Sequence, residues 1–191
     1  MDNFSYVIGC PSTGAGAVID PAGDAELLLR AARDAGVTIR NIFNTHNHHD
    51  HTEGNDEVRA ATGAKVLMHA LDAGNYRGVV DIVIGHDDTF SLGDVIISII
   101  HTPGHTPGGI CFCSEGNLFT GDTLFVGDSG RTDLPGSHRP TLGASIRRLM
   151  ALPEDTVVWP GHDYGPTPSS TLQWEKRNNV NAREYGYYLE E

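Results

Sequence analysis

Asn41-Ile42-Phe43-Asn44-Thr45-His46-Asn47-His48-His49-Asp50-His51 runs from an apolar strand straight into a loop crowded with imidazoles and one carboxylate. These are the side chains that hold borderline divalent metals. Alternate spacing on an extended loop lets His46 and His48 face one ion while Asp50 and His51 turn to a second, and it points His49 away from both. The plain alternative is a histidine-rich surface loop. The rest of the chain decides between them.

Three more apolar strands each end in a glycine followed by a potential ligand. Ile99-Ile100 leads to Thr102-Pro-Gly-His105, Leu118-Phe119 to Thr120-Gly-Asp122, and Val158-Trp159 to Pro160-Gly-His162. Glycine permits the close or unusual backbone path that turns the next side chain inward, and clefts at strand ends are the usual place for ligands. One such unit is weak. Three beside a histidine-rich loop predict a metal site.

Around these units the sequence reads as a loop-rich α/β protein. Tyr6 to Cys10 and Gly16 to Asp20 flank Pro-Ser-Thr-Gly-Ala-Gly and predict a hairpin. Asp24 to Ala35 places Ala25, Leu28, Leu29, Ala32 and Ala35 on one helical face, with Gly36 as terminator. Val37 to Asn44 and Lys65 to Met68 predict strands on either side of a helix from Asn55 to Thr62. Val-Ile-Ile-Ser-Ile-Ile within Asp94 to His101 looks too apolar for a half-exposed strand, so this run, Ile110 to Cys113 and Leu118 to Thr120 are expected as interior strands. Leu142, Ile146 and Leu149 mark a helix after Pro140, Thr156 to Trp159 a strand, and Ser170 to about Tyr185 a final helix.

A chain of 191 residues suits one buried core, and no linker divides it, so a single domain over residues 1–191 is expected. The net charge of -12, with Lys65 and Lys176 as the only lysines, would repel a phosphate backbone and argues against a nucleic-acid partner. Met1 to Gly9 lacks a basic, then apolar leader, and no stretch is long and apolar enough to span a membrane, which predicts a cytoplasmic protein with no membrane partner. Cys10, Cys111 and Cys113 give no CxxC and no disulfide framework; they read as small buried hydrophobes of a reducing compartment.

The ordered set Thr45-His-x-His-x-Asp-His51, Gly104-His105, Gly121-Asp122 and Gly161-His162 resembles the metal motifs of the metallo-β-lactamase superfamily over nearly the whole chain. The resemblance implies an αββα four-layer sandwich, two mixed β-sheets face to face with helices outside and metals at one sheet edge. It also implies that His46, His48 and His105 hold a first ion, Asp50, His51 and His162 a second, and that Asp122 bridges them. Zinc is the expected metal, with iron or manganese as alternatives. Broad-spectrum zinc β-lactamases carry Cys where this chain has Asp122, and flavodiiron proteins carry Glu where it has His48. The stretches Thr120 to Phe125, Gly130 to Asp133 and Gly161 to Gly165 look most like the glyoxalase II and persulfide dioxygenase branch.

That branch implies a thioester hydrolase of the glyoxalase II kind, using a metal-bridging hydroxide that Asp50 or Asp122 can orient, on a hydroxyacylglutathione-like substrate. Full-length glyoxalase II proteins add a C-terminal helical region for glutathione contacts. Here Arg131 and the Ser170 to Arg183 helix would take that part, or the substrate is a different thioester or ester. The alternative is a persulfide dioxygenase with one iron on His46, His105 and Asp122. A non-catalytic metal-binding protein would leave an open coordination position unused.

Outside the ligand set, Arg131 is a candidate for binding a substrate carboxylate through its planar fork, against a salt bridge to Asp128 or Asp133. Tyr164 is placed to wall the pocket. Asp20, after Val18-Ile19, looks like the acidic residue that in this superfamily supports the metal loop, against a simple turn former before Pro21. His101 is a candidate partner of a metal-bound imidazole, whereas His69, His86 and His138 read as ordinary histidines. Tyr185, Tyr187 and Tyr188 give the C-terminal segment an aromatic character suited to docking on the protein itself or on a second copy as a homodimer.

Overall fold

The computed structural model describes residues 2–185. The hairpin of β1 (Tyr6–Gly9) and β2 (Ala15–Ile19) opens the chain as the sequence predicts, with Tyr6 opposite Ile19. Helix α1 (Ala25–Asp34) follows, capped by the Asp24 carboxylate, which accepts from Leu27 N at 3.2 Å, and stopped before Gly36 at φ 69°. Its buried residues Ala25, Leu28 and Ala32 belong to the expected apolar stripe.

Strand β3 (Thr38–Phe43) pairs parallel with β2, so Ile19 and Phe43 end side by side. The histidine-rich segment is not wholly extended: His48 keeps a β conformation and α2 (His49–Thr52) makes one helical turn, which swings Asp50 and His51 inward. Then come α3 (Asn55–Thr62), β4 (Lys65–His69), α4 (Ala70–Ala73) and β5 (Ile82–Ile84), completing a sheet ordered β1-β2-β3-β4-β5.

The second sheet is built from β6 (Thr89–Leu92), β7 (Val95–His101), β8 (Ile110–Ser114), β9 (Asn117–Gly121), β10 (Val157–Pro160) and β11 (Ser170–Thr171), in the order β11-β10-β9-β8-β7-β6. Helix α5 (Arg139–Met150) precedes β10, and α6 (Leu172–Asn178) and α7 (Val180–Glu184) follow β11. Both sheets are mixed. Parallel pairing of β9 with β10, and antiparallel pairing through β8, leave β7, β9 and β10 running the same way.

Three apolar clusters make the layers. Ala17, Ile19, Phe43 and Leu67 of the first sheet meet Ile97, Ile99, Ile110 and Phe112 of the second. Val18, Ile42 and Val66 face outward onto Ala25, Leu28 and Val58 of α1 and α3. Cys111, Leu118 and Val158 face outward onto Leu142, Ile146 and Leu149 of α5. This is the αββα sandwich, and the alternation of faces along each strand is what fills all three interfaces.

Two expectations need correction. β7 is interior to its sheet but only half covered: Ile97 and Ile99 are buried, whereas Ile96 is 54% exposed, because the apolar cluster under α5 reaches Ile100 but not Ile96. The final helix is two helices. Ser170 and Thr171 extend the sheet, and Asn179 breaks the remainder with an extended backbone (φ -71°, ψ 120°). Its side chain caps α7, accepting from Asn181 N and Ala182 N, while Nδ2 donates to Phe125 O, Asp128 O and Glu175 Oε2. Tyr185 packs on the protein itself, against the α5 cluster and beneath Arg139; Tyr187 and Tyr188 lie outside the described residues. Among the described residues no helix is long and apolar enough to cross a membrane.

Phe43 is the keystone between the sheets, 5.0 Å from the Phe112 ring and 5.2 Å from the Phe90 ring. Phe43→Ala is expected to cost about 3–5 kcal/mol, read as a lower urea midpoint with an unchanged slope; a loss below about 1 kcal/mol would mean the inter-sheet core closes without it.

Candidate metal centre

Parallel strands carry their C-terminal ends to one edge of the sandwich, and every candidate ligand leaves from such an end. The resulting nitrogens and oxygens converge in two adjoining groups. In the first, His48 Nδ1 lies 3.1 Å from His46 Nε2 and 2.9 Å from His105 Nε2. In the second, His51 Nε2 lies 3.2 Å from His162 Nε2 and 3.6 Å from Asp50 Oδ2. Asp122 stands between, with Oδ1 3.2 Å from His51 Nε2 and Oδ2 3.4 Å from His105 Nε2 and 3.3 Å from His162 Nε2. All seven residues singled out from the sequence are thus brought together.

Neighbouring groups aim these rings. Asp20, itself at φ 47°, accepts Thr45 N and Thr45 Oγ1 at 2.7 and 2.6 Å, and His51 Nδ1 lies 3.1 Å from its Oδ2. Thr45 Oγ1 also lies 3.0 Å from His46 Nδ1. A single buried carboxylate therefore sets the outer nitrogens of one imidazole from each group, which fixes their tautomers. His105 Nδ1 is held by the main-chain oxygen of Arg131 at 2.8 Å. Two glycines show why no side chain is tolerated before a ligand. Gly121 sits at φ 47°, and a Cβ on Gly161 would fall 2.5 Å from Asp122 Oδ1.

The donor set fits divalent cations. Five imidazole nitrogens, three in the first group and two in the second, face their neighbours at hydrogen-bond distance, an arrangement neutral rings satisfy poorly among themselves and a shared cation satisfies well. Asp122 Oδ1 is buried and makes no hydrogen bond to protein. Burial, with His51 beside it, pushes the His46 imidazolium well below the usual histidine range, leaving a neutral ligand. Burial also disfavours charge on His51, but the Asp122 and Asp20 carboxylates beside it overcome that and hold the group well above its usual range. For Asp50, burial opposes ionisation, yet the Asn3 amide and His51 keep it below the carboxylate range. The carboxylates here are anions that call for positive charge between them. Among the described residues, His46, His48 and His105 form one group compact enough for an ion and Asp50, His51 and His162 another; the third such group, Asp20 with His46 and His51, is the brace just described.

Beside the donors opens a cavity of about 460 Å³, with His48, Asp50, Phe125, Arg131 and Tyr164 in its wall. Tyr164 stacks flat on His162 (4.7 Å, 6°), and Phe125 meets both rings edge-on. Arg131 lines the cavity, and its guanidinium is held by Asp133 at 2.6 and 2.7 Å, which draws the Asp133 carboxyl down to about 2. Of the two partners weighed from the sequence, Asp133 is the one engaged.

His49 is exposed and 3.5 Å from Glu53, away from the donors as expected. His101 does not touch a ligand: its ring stacks on His69 at 4.1 Å and its Nε2 bonds Pro107 O. The candidate role as partner of a metal-bound imidazole is therefore not the one it takes here. His86 and His138 have local partners, Asp87 and Thr141. Cys111 is buried, and its thiol is pushed up to about 12 by that burial, in keeping with a packing role. Sequence reasoning missed Asn3, whose Nδ2 donates to Asp50 Oδ2 at 3.0 Å, and Phe125. No local pattern marks an asparagine three residues into the chain.

The chain belongs to the metallo-β-lactamase superfamily, whose family description matches residues 2–162. Within that superfamily it is 43% identical to a hydroxyacylglutathione hydrolase from Rhodospirillum rubrum, over 94% of this chain and 70% of the relative. It spans 62% of the length of other curated proteins of that name, less than two thirds. Its fold is similar to that of ETHE1 from Myxococcus xanthus (TM-score 0.88, 30% identity, 97% of this chain and 84% of that one). It is also similar to TTHA1623 solved in a di-iron-bound form (TM-score 0.79, 30% identity, 92% and 93%).

Asp122→Ala should weaken ion binding at both groups, whereas His162→Ala should empty only the second, since one carboxylate faces both and one imidazole does not. Titration of the metal-free variants with zinc checks this. Equal, single-site losses in the two would remove Asp122 from the bridging position.

Proposed function

We propose that the chain is a glyoxalase II-like hydrolase that cleaves a hydroxyacylglutathione-like thioester with two divalent ions, zinc the best match to its nitrogen and oxygen donors. We further propose that one metallo-β-lactamase-like domain in the cytoplasm carries the reaction. The observation that supports this most is the second group, Asp50, His51 and His162, set against the first across Asp122. A single-ion reaction would leave it with nothing to hold. The similarity to curated hydroxyacylglutathione hydrolases points the same way.

His46, His48 and His105 would hold the first ion, Asp50, His51 and His162 the second, and Asp122 both. Such ions, when bound, lower the pKa of water from ~15.7 towards ~7 and polarise a carbonyl. Asp50, whose side chain is 24% exposed towards the cavity, and Asp122 accept and orient the protons of an attacking water. A thiolate leaving group with a parent pKa near ~8.5 departs without strong general-acid help. Besides the candidate donors, the cavity wall carries Phe125, Asp128, Ser129, Arg131, Leu134 and Tyr164. Phe125 and Tyr164 give the acyl group an apolar flank and shield His162 from water. Arg131 reaches the substrate's anionic end by exchanging Asp133, an exposed pair that a substrate carboxylate competes with at little cost.

The persulfide dioxygenase reading uses part of the same set. His46 with His105 and Asp122 makes a two-histidine, one-carboxylate face for iron, and His105 Nε2 lies 3.4 Å from Asp122 Oδ2. S-Lactoylglutathione should be hydrolysed equally in air and without oxygen, because water supplies the oxygen atom. Oxygen uptake with glutathione persulfide, together with no thioester cleavage by the fully metallated protein, would overturn the hydrolase reading. Arg131→Ala should raise KM with kcat unchanged; two unchanged constants would leave Arg131 as no more than Asp133's partner.

A further inference from the structure

Asp72 lies on α4, just after β4, and is fully buried although no motif points to it. Its carboxylate reaches both loops that carry the first group of ligands. Oδ2 accepts the main-chain N–H of Asn47, between His46 and His48, at 3.1 Å, and the hydroxyl of Thr106, next to His105, at 2.8 Å. Oδ1 accepts Gly108 N at 2.6 Å. The main-chain oxygen of Asp72 accepts Asn47 Nδ2 at 3.2 Å. A buried carboxylate is costly unless its lone pairs are filled, and here two main-chain N–H groups and a hydroxyl fill them. The two loops belong to different sheets, His46 and His48 following β3 and His105 following β7, and Asp72 joins them a few residues from the ligands.

We propose that Asp72 is a positioning residue that sets the distance between the His46–His48 loop and the His105 loop, and so governs the first ligand group without governing the second. The second group has its own brace. Asp20 holds His51 and Thr45, Asn3 holds Asp50, and none of these contacts involves Asp72. Asp72 therefore braces the loops of the first group alone, whereas Asp20 holds His51 directly and reaches the first group only at His46, through Thr45. The inference rests on the two-group reading of the site.

In Asp72→Asn one oxygen becomes an amide nitrogen, which meets a donor wherever it points: Gly108 N on one side, Asn47 N and Thr106 Oγ1 on the other. Zinc affinities of wild type and variant, measured by chelator competition, should show the first ion weakened about 10- to 100-fold, the usual cost of losing an outer partner, with the second unchanged. Hydrogen exchange of the metal-free proteins reads the same device without activity. Asn47 and Gly108 N–H should lose protection in the variant, while Thr45 N–H, held by Asp20, keeps it. Parallel weakening of both ions with loss of protection at Thr45 would overturn the proposal, as would an unchanged first ion. Should the asparagine variant not fold, Thr106→Val removes one donor at constant shape and should weaken the first ion alone; no change there would equally overturn it. Wild-type protein that holds a single ion counts against the two-group reading instead, and Asp72 is then judged on the ion at His46, His48 and His105.

Discussion

Seven metal-type donors crowded at hydrogen-bond distance, two of them carboxylates, cannot be stable by themselves. Charge of one sign at Asp50 and Asp122, and imidazole lone pairs turned on one another, must be balanced by cations or by protons. Everything at this edge of the sandwich follows from that constraint. The rings are buried, so their charge states are set by neighbours; the neighbours are themselves carboxylates, amides and main-chain groups placed to within hydrogen-bond reach. Without a cation the burden falls on His51, which the carboxylates of Asp122 and Asp20 hold well above the usual histidine range in spite of its burial.

The scaffold meets this requirement by rigidity. The candidate donors leave from the ends of β3, β7, β9 and β10, strands anchored in the apolar clusters, so the donors move only if the core moves. The braces are short-range and buried: Asp20 spans Thr45 and His51, Asp72 spans Asn47 and Thr106, and the Arg131 main chain fixes His105. The cavity wall is placed differently. Phe125, Arg131 and Tyr164 stand on loops beyond the strand ends, where substitution can alter the pocket without disturbing the donors, which is how one site architecture serves several reactions.

Helices α6 and α7 show a second way in which the fold reaches the pocket. Asn179 and Glu175 bind the Phe125 to Asp128 segment from outside, Asn179 through Phe125 O and Asp128 O and Glu175 through Gly127 N. Glu175 is buried, and that burial lifts its carboxyl above the ordinary range although Ser170, Asn179 and Gly127 donate to it. The segment following the last ligand thus supports a pocket wall rather than a ligand.

Much of this was readable from the chain before any coordinates. Strand end and candidate donor stand in a local order that survives folding, because a strand end and the residues after it stay neighbours in space; hence the seven residues that the fold brings together, and the hairpin, α1 with its glycine stop and α3, were legible. Period-two and period-3.6 apolar patterns likewise placed α1, α5 and most of the strands that fill the three clusters, whereas β5 and β6, which bring Ile84 and Leu92 to the inter-sheet cluster, are too short to show such a pattern. What the sequence could not show is whatever depends on distant residues meeting. Asn3 reaches Asp50 because an isolated bridge lays it beside His162, and Asp72 finds Asn47 and Thr106 only once β3, β4 and β7 are assembled. The half-covered face of β7, the break at Asn179 and the engagement of Arg131 by Asp133 are of the same kind. Local patterns determined the donors and the layers; tertiary packing decided which groups hold them, because a hydrogen bond between segments far apart in the chain leaves no periodic trace in either one.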